Sequence, residues 1–338
     1  MKILVTLPKG HTRDTFIPAP LVERINSMGD VSWNESSRNM TPSELANALQ
    51  GVDVCLTGWG TARFSTNVLN KISGLRLIAH TGGTVAPLVG DAVYDHNIRV
   101  LSGNELYAQS VAEGVLCYTL TALRQIPKYT NIMKREGWTH ATFYNEGLLG
   151  RKVGLVGFGT VSRYVAKLLK PFGCELLICS GHLTEAEAAE HGGRLASMEE
   201  VFSTCSVVSL HLAANEKNFH IIDERLLNMM PDGALLVNTA RGSLIDERSL
   251  AAVMKKRPIK AVLDVYEHEP LPMSSALRTL DNVLLVPHMA GPTVDRRQVV
   301  TSTLLDEVEK VMNGGESWLE IDRATVAHMT QELPRLSF

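Results

Sequence analysis

Three polar residues with complementary chemistry follow three apolar runs in the second half of the chain. Arg241 follows the run LLVNTA, Glu269 follows LDVYEH, and His288 follows LLVP. The carboxyl ends of parallel strands meet at one edge of an open sheet, where such sheets bind ligands, so we expect the three side chains to converge. A histidine alone is usually an ordinary hydrogen-bonded polar residue. A guanidinium, a carboxylate and an imidazole together indicate a site for anion binding and proton transfer.

These side-chain types suit the reduction of a 2-keto acid. That reaction needs a cation for the carboxylate and carbonyl oxygen, a proton donor for that oxygen, and a source of hydride. Arg241 offers a rigid fork that binds a carboxylate at two points. His288 would supply the proton, although an unperturbed histidine, with a pKa of about 6.5, is only about a quarter protonated at pH 7. Glu269 is placed to raise the pKa of His288 and to fix the orientation of its ring.

A glycine-rich turn, GLVGFGTVS at 154–162, indicates where a dinucleotide would bind. Gly157 permits a tight turn, and Gly159 lets the backbone approach a pyrophosphate closely. The helix that begins near Thr160 would offer free N–H groups and the positive end of its dipole to the phosphates. Ser162 stands at the third position of the fingerprint and is small enough for close packing of helix on strand.

The residue expected beside the adenosine ribose departs from the usual pattern. The next apolar run ends in Ser180, where NAD sites usually carry Asp or Glu. Ser180 removes the charge that would repel a 2′-phosphate, yet no arginine stands next to it, and His182 is a weak substitute. The sequence therefore leaves both NAD and NADP open.

Short runs rich in Val, Ile and Leu recur along the chain without polar alternation, and helical segments separate them. This pattern is typical of parallel strands buried on both faces, and it predicts βαβ units in an α/β fold. Helices are also predicted at 108–125 and 301–313. The predicted strands form a first group of four (Ile3–Leu7, Val52–Thr57, Leu75–His80 and Ile98–Leu101) and a second group of six (Val153–Gly157, Leu176–Cys179, Val207–Leu210, Ala234–Asn238, Ala261–Asp264 and Val283–Val286).

Length and composition describe an ordinary globular chain. Its 338 residues fit about two domains, and 45% hydrophobic with 20% charged residues disfavours long disorder or a fibrous class. The formal charge of −3 shows no basic excess, so we expect no nucleic-acid partner. No apolar run approaches the roughly 18 residues of a membrane helix, and the N-terminus MKILVTLPKG is more typical of a strand than of a signal peptide. We expect a cytoplasmic protein without a membrane partner.

The cysteines are odd in number and form no CxxC pair. This pattern predicts reduced, buried thiols and no metal site. The five are Cys55, Cys117, Cys174, Cys179 and Cys205.

Taken together, these motifs resemble those of the D-isomer-specific 2-hydroxyacid dehydrogenases, a family that includes phosphoglycerate dehydrogenase, glyoxylate/hydroxypyruvate reductase and D-lactate dehydrogenase. The resemblance implies two Rossmann-like parallel-sheet domains. A nucleotide-binding domain (105–289) would be inserted into a smaller, flavodoxin-like substrate domain (1–104 and 290–338). It also implies a homodimer paired through the nucleotide domains, with Trp138 on an extended segment. The motifs are Gly157–Ser162, Asn238–Gly242, Asp264–Val265 with Glu269–Pro270, and Pro287–His288 with Ala290–Gly291.

The resemblance also implies a role for individual residues. Arg241 is similar to the family's substrate-binding arginine, and Glu269 and His288 to its proton-transfer pair. The loop Gly82, Gly83 and Thr84, with Arg241, would hold the substrate carboxylate, although His80–Thr84 differs from the commoner Gly-Val-Gly form. The segment Tyr107–Glu113 resembles a helix start near the domain interface, where we expect packing. The implied cofactor contacts are Gly157, Gly159, Thr160, Val161, Ser180, Thr239, Ala240, Arg241, Asp264, His288 and Gly291.

Other functions of the same fold stay open at this point. A dinucleotide-sensing binding protein, like the transcriptional corepressors among the family's relatives, would bind the cofactor without turnover and can retain all three polar residues. Formate dehydrogenase chemistry is disfavoured, because that branch lacks a carboxylate at the position of Glu269. The acid itself is also open. Trp59 either walls a pocket or packs the small domain, and the candidate cations for a phosphorylated substrate, Arg63, Lys9, His11 and Arg13, could equally be solvated.

Overall fold

The computed structural model describes residues 1–138 and 144–330, and the chain divides into two compact units. Unit 1 comprises Met1–Ala108 and Pro292–Phe338, and unit 2 comprises Gln109–Gly291. The two segments of unit 1 therefore flank unit 2 in the sequence. The first boundary falls inside a long helix, Asn104–Leu123, and the second falls just before another, Val294–Met312.

Unit 1 contains a parallel sheet in the order β2-β1-β3-β4-β5, which is the order of flavodoxin-like folds. Its strands are β1 (Lys2–Val5), β2 (Asp30–Trp33), β3 (Val54–Thr57), β4 (Leu77–His80) and β5 (Arg99–Ser102). The helices that begin in this unit are α1 (His11–Phe16), α2 (Ala19–Ser27), α3 (Pro42–Ala48), α4 (Thr66–Leu69), α5 (Asp91–Asp95), α6 (Asn104–Leu123), α13 (Val294–Met312) and α14 (Arg323–His328).

Unit 2 contains a second parallel sheet, in the order β12-β11-β10-β9-β6-β7-β8. If β6 is counted as strand 1, the strands follow the Rossmann order 3-2-1-4-5-6, and β12 adds a seventh strand beside the sixth. Its strands are β6 (Lys152–Val156), β7 (Glu175–Cys179), β8 (Gly193–Leu195), β9 (Val207–Leu210), β10 (Leu235–Asn238), β11 (Lys260–Leu263) and β12 (Val283–Leu285). Its helices are α7 (Ile126–Glu136), α8 (Thr160–Leu169), α9 (Glu185–Glu190), α10 (Met198–Thr204), α11 (Glu224–Met229) and α12 (Glu247–Met254).

Each sheet is buried on both faces, which explains the unbroken apolar runs. In β1, Leu4 packs into one hydrophobic cluster, whereas Ile3 and Val5 pack into another. In β10, Leu236 likewise joins one cluster and Val237 the other. Successive side chains of a strand point to opposite faces, so helices must cover both sides of each sheet. The predicted α/β fold with two parallel-sheet domains is confirmed.

The predicted strand groups were each one strand short. Both missed strands, β2 and β8, lie at a sheet edge and pair with a single neighbour. β2 exposes Asp30 and Ser32, and β8 has only three residues. An edge strand does not need apolar residues on both faces, so neither segment shows the pattern that marked the others.

Two helix starts and three cysteines also differ from the predictions. α6 begins at residue 104 and not 108, and α13 at 294 and not 301, because both helices open with polar turns that carry little apolar periodicity. Cys117 is exposed, and Cys174 and Cys179 are partly exposed, so only Cys55 and Cys205 are the buried thiols expected; all five are free. Among the helices of residues 1–138 and 144–330, none combines the length and the hydrophobicity that a membrane span requires.

Candidate active site

The glycine-rich turn is tight at its first glycine and open at its second. Gly157 follows β6 with a φ of +90°, and a Cβ there would lie 2.8 Å from the backbone carbonyl carbon of His211. A Cβ on Gly159, which precedes α8, would meet no atom within 4 Å. Ser162 is fully buried, and its hydroxyl donates to the carbonyl of Gly159 (3.3 Å). A side chain at position 157 would therefore clash with the backbone, so this position requires glycine. Position 159 leaves open space at the N-terminal end of the ten-residue helix α8.

The other predicted cofactor residues of unit 2 lie after strand ends. Ser180 follows β7, and its hydroxyl accepts the N–H of His182 (3.3 Å). Thr239 follows β10 and is 8% exposed; its hydroxyl has no hydrogen-bond partner among the residues described. A Cβ on Gly291 would meet no atom within 4 Å. An unpartnered buried hydroxyl and open glycine positions fit a polar ligand such as a dinucleotide. Thr160 and Val161 form the first turn of α8, and Ala240 follows Thr239.

A buried asparagine fixes the turn that carries Arg241. The side-chain oxygen of Asn238 accepts the N–H of Ala240 (3.0 Å), and its amide donates to the carbonyl of Arg241 (2.9 Å). A Cβ on Gly242 would lie only 1.9 Å from the carbonyl carbon of Tyr266. Only glycine lets the Arg241 turn pack against the segment that leads to Glu269. The geometry thus brings two of the predicted catalytic residues to the same edge of the sheet.

Glu269 and His288 form a close pair. Nδ1 of His288 lies 2.6 Å from Oε2 of Glu269, and Oε1 of Glu269 accepts the N–H of Tyr266 (3.0 Å). The hydrogen bond that Nδ1 donates to Glu269 raises the pKa of His288, although burial opposes that rise. Burial would raise the pKa of Glu269, but the bonds from His288 and the Tyr266 N–H hold it below its usual value. The carboxylate therefore stabilises the imidazolium and leaves Nε2 as the nitrogen for proton transfer.

The charge of Arg241 reaches the same pair. Burial lowers the pKa of Arg241 and the negative charge of Glu269 opposes that effect, yet a guanidinium stays cationic at any physiological pH. Nη1 of Arg241 donates to the carbonyl of Ala240 (2.6 Å), which fixes one end of the fork. Unit 2 therefore holds a fixed cation within electrostatic reach of a carboxylate–imidazole pair, and the catalytic roles of Arg241, Glu269 and His288 stay predictions.

Asp264 holds the segment that follows His288, a role the sequence did not reveal. Its two carboxylate oxygens accept the backbone N–H groups of Met289 (2.7 Å) and Ala290 (3.0 Å). His288 itself has a φ of +50°, in the left-handed region that histidine adopts more readily than most side chains. Burial raises the pKa of Asp264, and the two N–H donors oppose that rise. The aspartate therefore anchors the backbone on which the imidazole is mounted.

A second set of carboxylates fixes the segment before Glu269. Glu267 Oε1 accepts the N–H of Glu247 (2.9 Å), and Glu247 Oε1 accepts the N–H of Glu267 (2.7 Å). Nε2 of His220 lies 3.0 Å from Glu267 Oε1. Asp246 lies beside this pair. The atoms that His220, Asp246 and Glu267 could offer to a metal ion all lie within 4.8 Å of one another. The spacing of these residues in the sequence gave no sign of this cluster, and the absence of a metal site stays a prediction.

In unit 1, the loop after β4 presents a row of backbone donors. The hydroxyl of Ser102 bonds to the carbonyls of Gly82 and Gly83, which fixes the direction of the loop. The N–H groups of Gly82, Gly83 and Thr84 donate to no protein acceptor within residues 1–138 and 144–330. Successive free N–H groups of this kind bind oxyanions. The loop therefore has the donors that the predicted carboxylate site needs.

The other residues considered in unit 1 have mixed surroundings. Arg63 and Arg13 each donate to a backbone carbonyl, at 3.4 and 2.9 Å, and these bonds give both a structural role. Lys9 and His11 are exposed. Trp59 is 48% exposed and packs edge-on against neighbouring aromatic rings.

Comparison with protein families gives a match over more than half of the chain. Residues 116–290 match the family model described as "D-isomer specific 2-hydroxyacid dehydrogenase, NAD binding domain". The matched range contains the glycine turn and the three predicted catalytic residues. It also covers most of unit 2.

Individual proteins extend the similarity. The (S)-sulfolactate dehydrogenase of Chromohalobacter salexigens is 31% identical over 255 residues, 74% of this chain and 82% of that protein. The D-3-phosphoglycerate dehydrogenase of Methanocaldococcus jannaschii is 29% identical over 316 residues, 93% of this chain, which spans 58% of that relative's length. A glyoxylate reductase structure from Paecilomyes thermophila aligns with a TM-score of 0.79 at 23% identity, over 96% of this chain and 99% of that one. At that identity, the structure supports the fold.

Proposed function

The chain belongs to the D-isomer specific 2-hydroxyacid dehydrogenase family, and from this premise we propose that it interconverts a small 2-keto acid and the D-2-hydroxy acid. The observation that carries the proposal is the 2.6 Å contact between His288 and Glu269, within the electrostatic reach of Arg241. A nicotinamide cofactor, when bound, supplies or accepts the hydride. All three relatives described above bear the names of dehydrogenases or reductases, and no observation favours a sensing protein.

Each member of the trio has one task in this proposal. Arg241 binds the carboxylate and the carbonyl oxygen and stabilises the negative charge that develops on that oxygen. His288 gives its proton to the oxygen in reduction and takes the hydroxyl proton in oxidation. Glu269 holds the imidazole in one tautomer and favours its protonated form. The N–H groups of Gly82, Gly83 and Thr84 bind the substrate carboxylate.

Unit 2 is the proposed nucleotide-binding domain, and unit 1 the proposed substrate domain. Gly157, Gly159, Thr160 and Val161 would hold the pyrophosphate, since the turn is open at Gly159. The Thr239 hydroxyl would find its missing partner on the nicotinamide ribose, with Ala240, Asp264, His288 and Gly291 nearby. Because Ser180 bears no charge, we propose that the site accepts NAD and NADP.

A homodimer is proposed from the surface of unit 2. Helix α7 buries none of its side chains, and Ile126 and Met133 are 51% and 46% exposed. Apolar side chains of this size on one helix suit a second copy of the chain. The segment 134–145 that would carry Trp138 lies partly outside the described residues. Light scattering of the purified protein tests the dimer; a monomer at micromolar concentration would contradict it.

The cytoplasm is the proposed location of the protein, since its five free cysteines suit a reducing compartment.

A steady-state panel tests the proposed function. Glyoxylate, hydroxypyruvate, pyruvate, phosphohydroxypyruvate and, because one relative is named for sulfolactate, 3-sulfopyruvate are each offered with NADH and with NADPH. We expect oxidation of the reduced cofactor with at least one acid and a product of D configuration. Tight cofactor binding with no turnover of any acid would overturn the proposal and favour a sensing protein.

A further inference from the structure

Arg297, on the first turns of α13, sits among aromatic rings of unit 1. Its guanidinium carbon lies 5.4 Å from the ring centre of Phe16 and 5.6 Å from that of Trp59. Nη1 donates to the hydroxyl of Thr15 (3.1 Å). Its Nε is buried and has no hydrogen-bond partner among the residues described. The aromatic faces hold the cation in place and leave donors unused.

No carboxylate compensates this cation. Within the described residues, no acidic side chain lies within 4.0 Å of the Arg297 guanidinium. By contrast, Arg24 of the same unit contacts both Asp306 (2.8 Å) and Glu309 (2.6 Å). A partly buried guanidinium has lost some of its water, so an anion that reaches it gains more than it would at an exposed side chain.

Tyr107 adds an unused donor to the same cluster. Its hydroxyl is buried without a hydrogen-bond partner in the described part of the chain. Its ring meets Trp59 edge-on, with centres 6.3 Å apart. Burial raises the pKa of Tyr107, and the positive charge of Arg297 opposes that rise, so the hydroxyl keeps its proton and lies within the field of the guanidinium.

The cluster adjoins the loop with the free backbone N–H groups. A Cβ on Gly83 would lie 3.6 Å from the Tyr107 ring. Val300 lies one turn after Arg297 on α13. A Cβ on Gly103 would meet both the Val300 side chain and the carbonyl oxygen of Gly82, so Val300 lies close to the loop. Residues three apart share a helix face, so Arg297 and Val300 point to the same side of α13. One patch of unit 1 therefore carries both sets of anion-binding donors.

We propose that Arg297 and Tyr107, walled by Phe16 and Trp59, bind a second anionic group at the far end of the substrate. The inference rests on the proposed function and sharpens it: the preferred 2-keto acid is a dianion whose chain ends in a carboxylate, phosphate or sulfonate. The loop at Gly82–Thr84 takes the carboxylate next to the keto group, and the guanidinium takes the terminal oxyanion. A monoanionic acid such as pyruvate leaves Arg297 unpaired.

Substrate pairs and a matched arginine test this assignment. The dianions are oxaloacetate, phosphohydroxypyruvate and 3-sulfopyruvate, and the monoanions are pyruvate and hydroxypyruvate. We expect kcat/KM of the wild type to be at least about 100-fold higher for the best dianion than for pyruvate. Arg297→Gln should remove most of that ratio while pyruvate turnover changes less than about threefold, and Arg297→Lys should restore part of it. Arg24→Gln, which removes a cation that already has carboxylate partners, should leave the ratio unchanged.

Two outcomes overturn the inference without touching the proposed function. One is a wild type that turns over monoanions as well as dianions; the other is an Arg297→Gln variant that lowers both by the same factor. If no acid is reduced at all, the proposed function fails and binding decides the inference. Calorimetric titration of oxaloacetate then compares His288→Gln with the double variant His288→Gln/Arg297→Gln. A loss of at least about tenfold in affinity supports the Arg297 site, and equal affinities contradict it.

Discussion

Replacing Glu269 by glutamine tests how the protonation of His288 is controlled. The glutamine oxygen can take the place of Oε2 and accept the Nδ1–H of His288, so the change removes the negative charge beside Nδ1 with little change in shape, at the loss of the acceptor for the Tyr266 N–H. Hydrogen bonds to charged groups contribute about 1.5–3 kcal/mol. Both side chains are partly exposed, Glu269 at 36% and His288 at 51%, so we take a value of about 1.4 kcal/mol, which is a factor of about ten in rate.

The pH dependence of the variant follows from the direction in which Glu269 shifts the pKa of His288. Glu269 raises the pKa of His288, so in the wild type the proton donor persists to higher pH. Without the carboxylate, the donor is lost as pH rises through the ordinary histidine range, near 6.5. Reduction by Glu269→Gln should therefore fall about tenfold at pH 8 and approach the wild-type rate near pH 5.5.

The assay is kcat/KM for reduction from pH 5.5 to 9, with cofactor affinity measured by fluorescence as the control. Unchanged affinity shows that the variant keeps its nucleotide site. A variant whose profile coincides with that of the wild type at pH 8 would refute the coupling between the two side chains. An equal loss at every pH would show that Glu269 orients the imidazole without controlling its proton.

Three further substitutions separate packing from cofactor recognition. Gly157→Ala places a Cβ against the backbone of His211 at a φ of +90°, so it should lower the free energy of unfolding by about 2–4 kcal/mol, measured by urea denaturation. Gly159→Ala should change stability by less than about 0.5 kcal/mol yet weaken dinucleotide binding about tenfold or more; the reverse ranking would contradict the steric argument. Ser180→Asp should disfavour NADPH relative to NADH by about 1–2 kcal/mol, about five- to thirtyfold in the ratio of kcat/KM values, because the new carboxylate repels a 2′-phosphate. An unchanged ratio would show that Ser180 does not face the ribose.

The sequence predicted the features that repeat along the chain. The runs that became β1, β3 and β10 were recognisable because strands covered on both faces must be apolar at every position. Arg241, Glu269 and His288 were recognisable because each follows such a run. The structure places Glu269 and His288 side by side, with 2.6 Å between Oε2 and Nδ1, and the roles assigned to all three residues stay predictions.

Contacts between distant segments were not predictable in this way. Asp264 accepts N–H groups from 25 and 26 residues away, and the loop it holds has no sequence signature. The bond between Arg297 and Thr15 spans 282 residues, so the aromatic surroundings of Arg297 could not be read from spacing. The edge strands β2 and β8 were missed for a simpler reason: a strand with one neighbour tolerates polar residues.

His288 is the proposed proton donor of the dehydrogenase reaction, and the His288→Gln variant tests this role. With the best keto acid and its preferred cofactor, we expect a loss in kcat of about 10²–10⁴-fold, the usual contribution of a general acid. The affinity for the reduced cofactor should stay within about threefold of the wild type, measured by fluorescence titration. Turnover close to the wild-type rate, with the cofactor bound normally, would contradict the role assigned to His288.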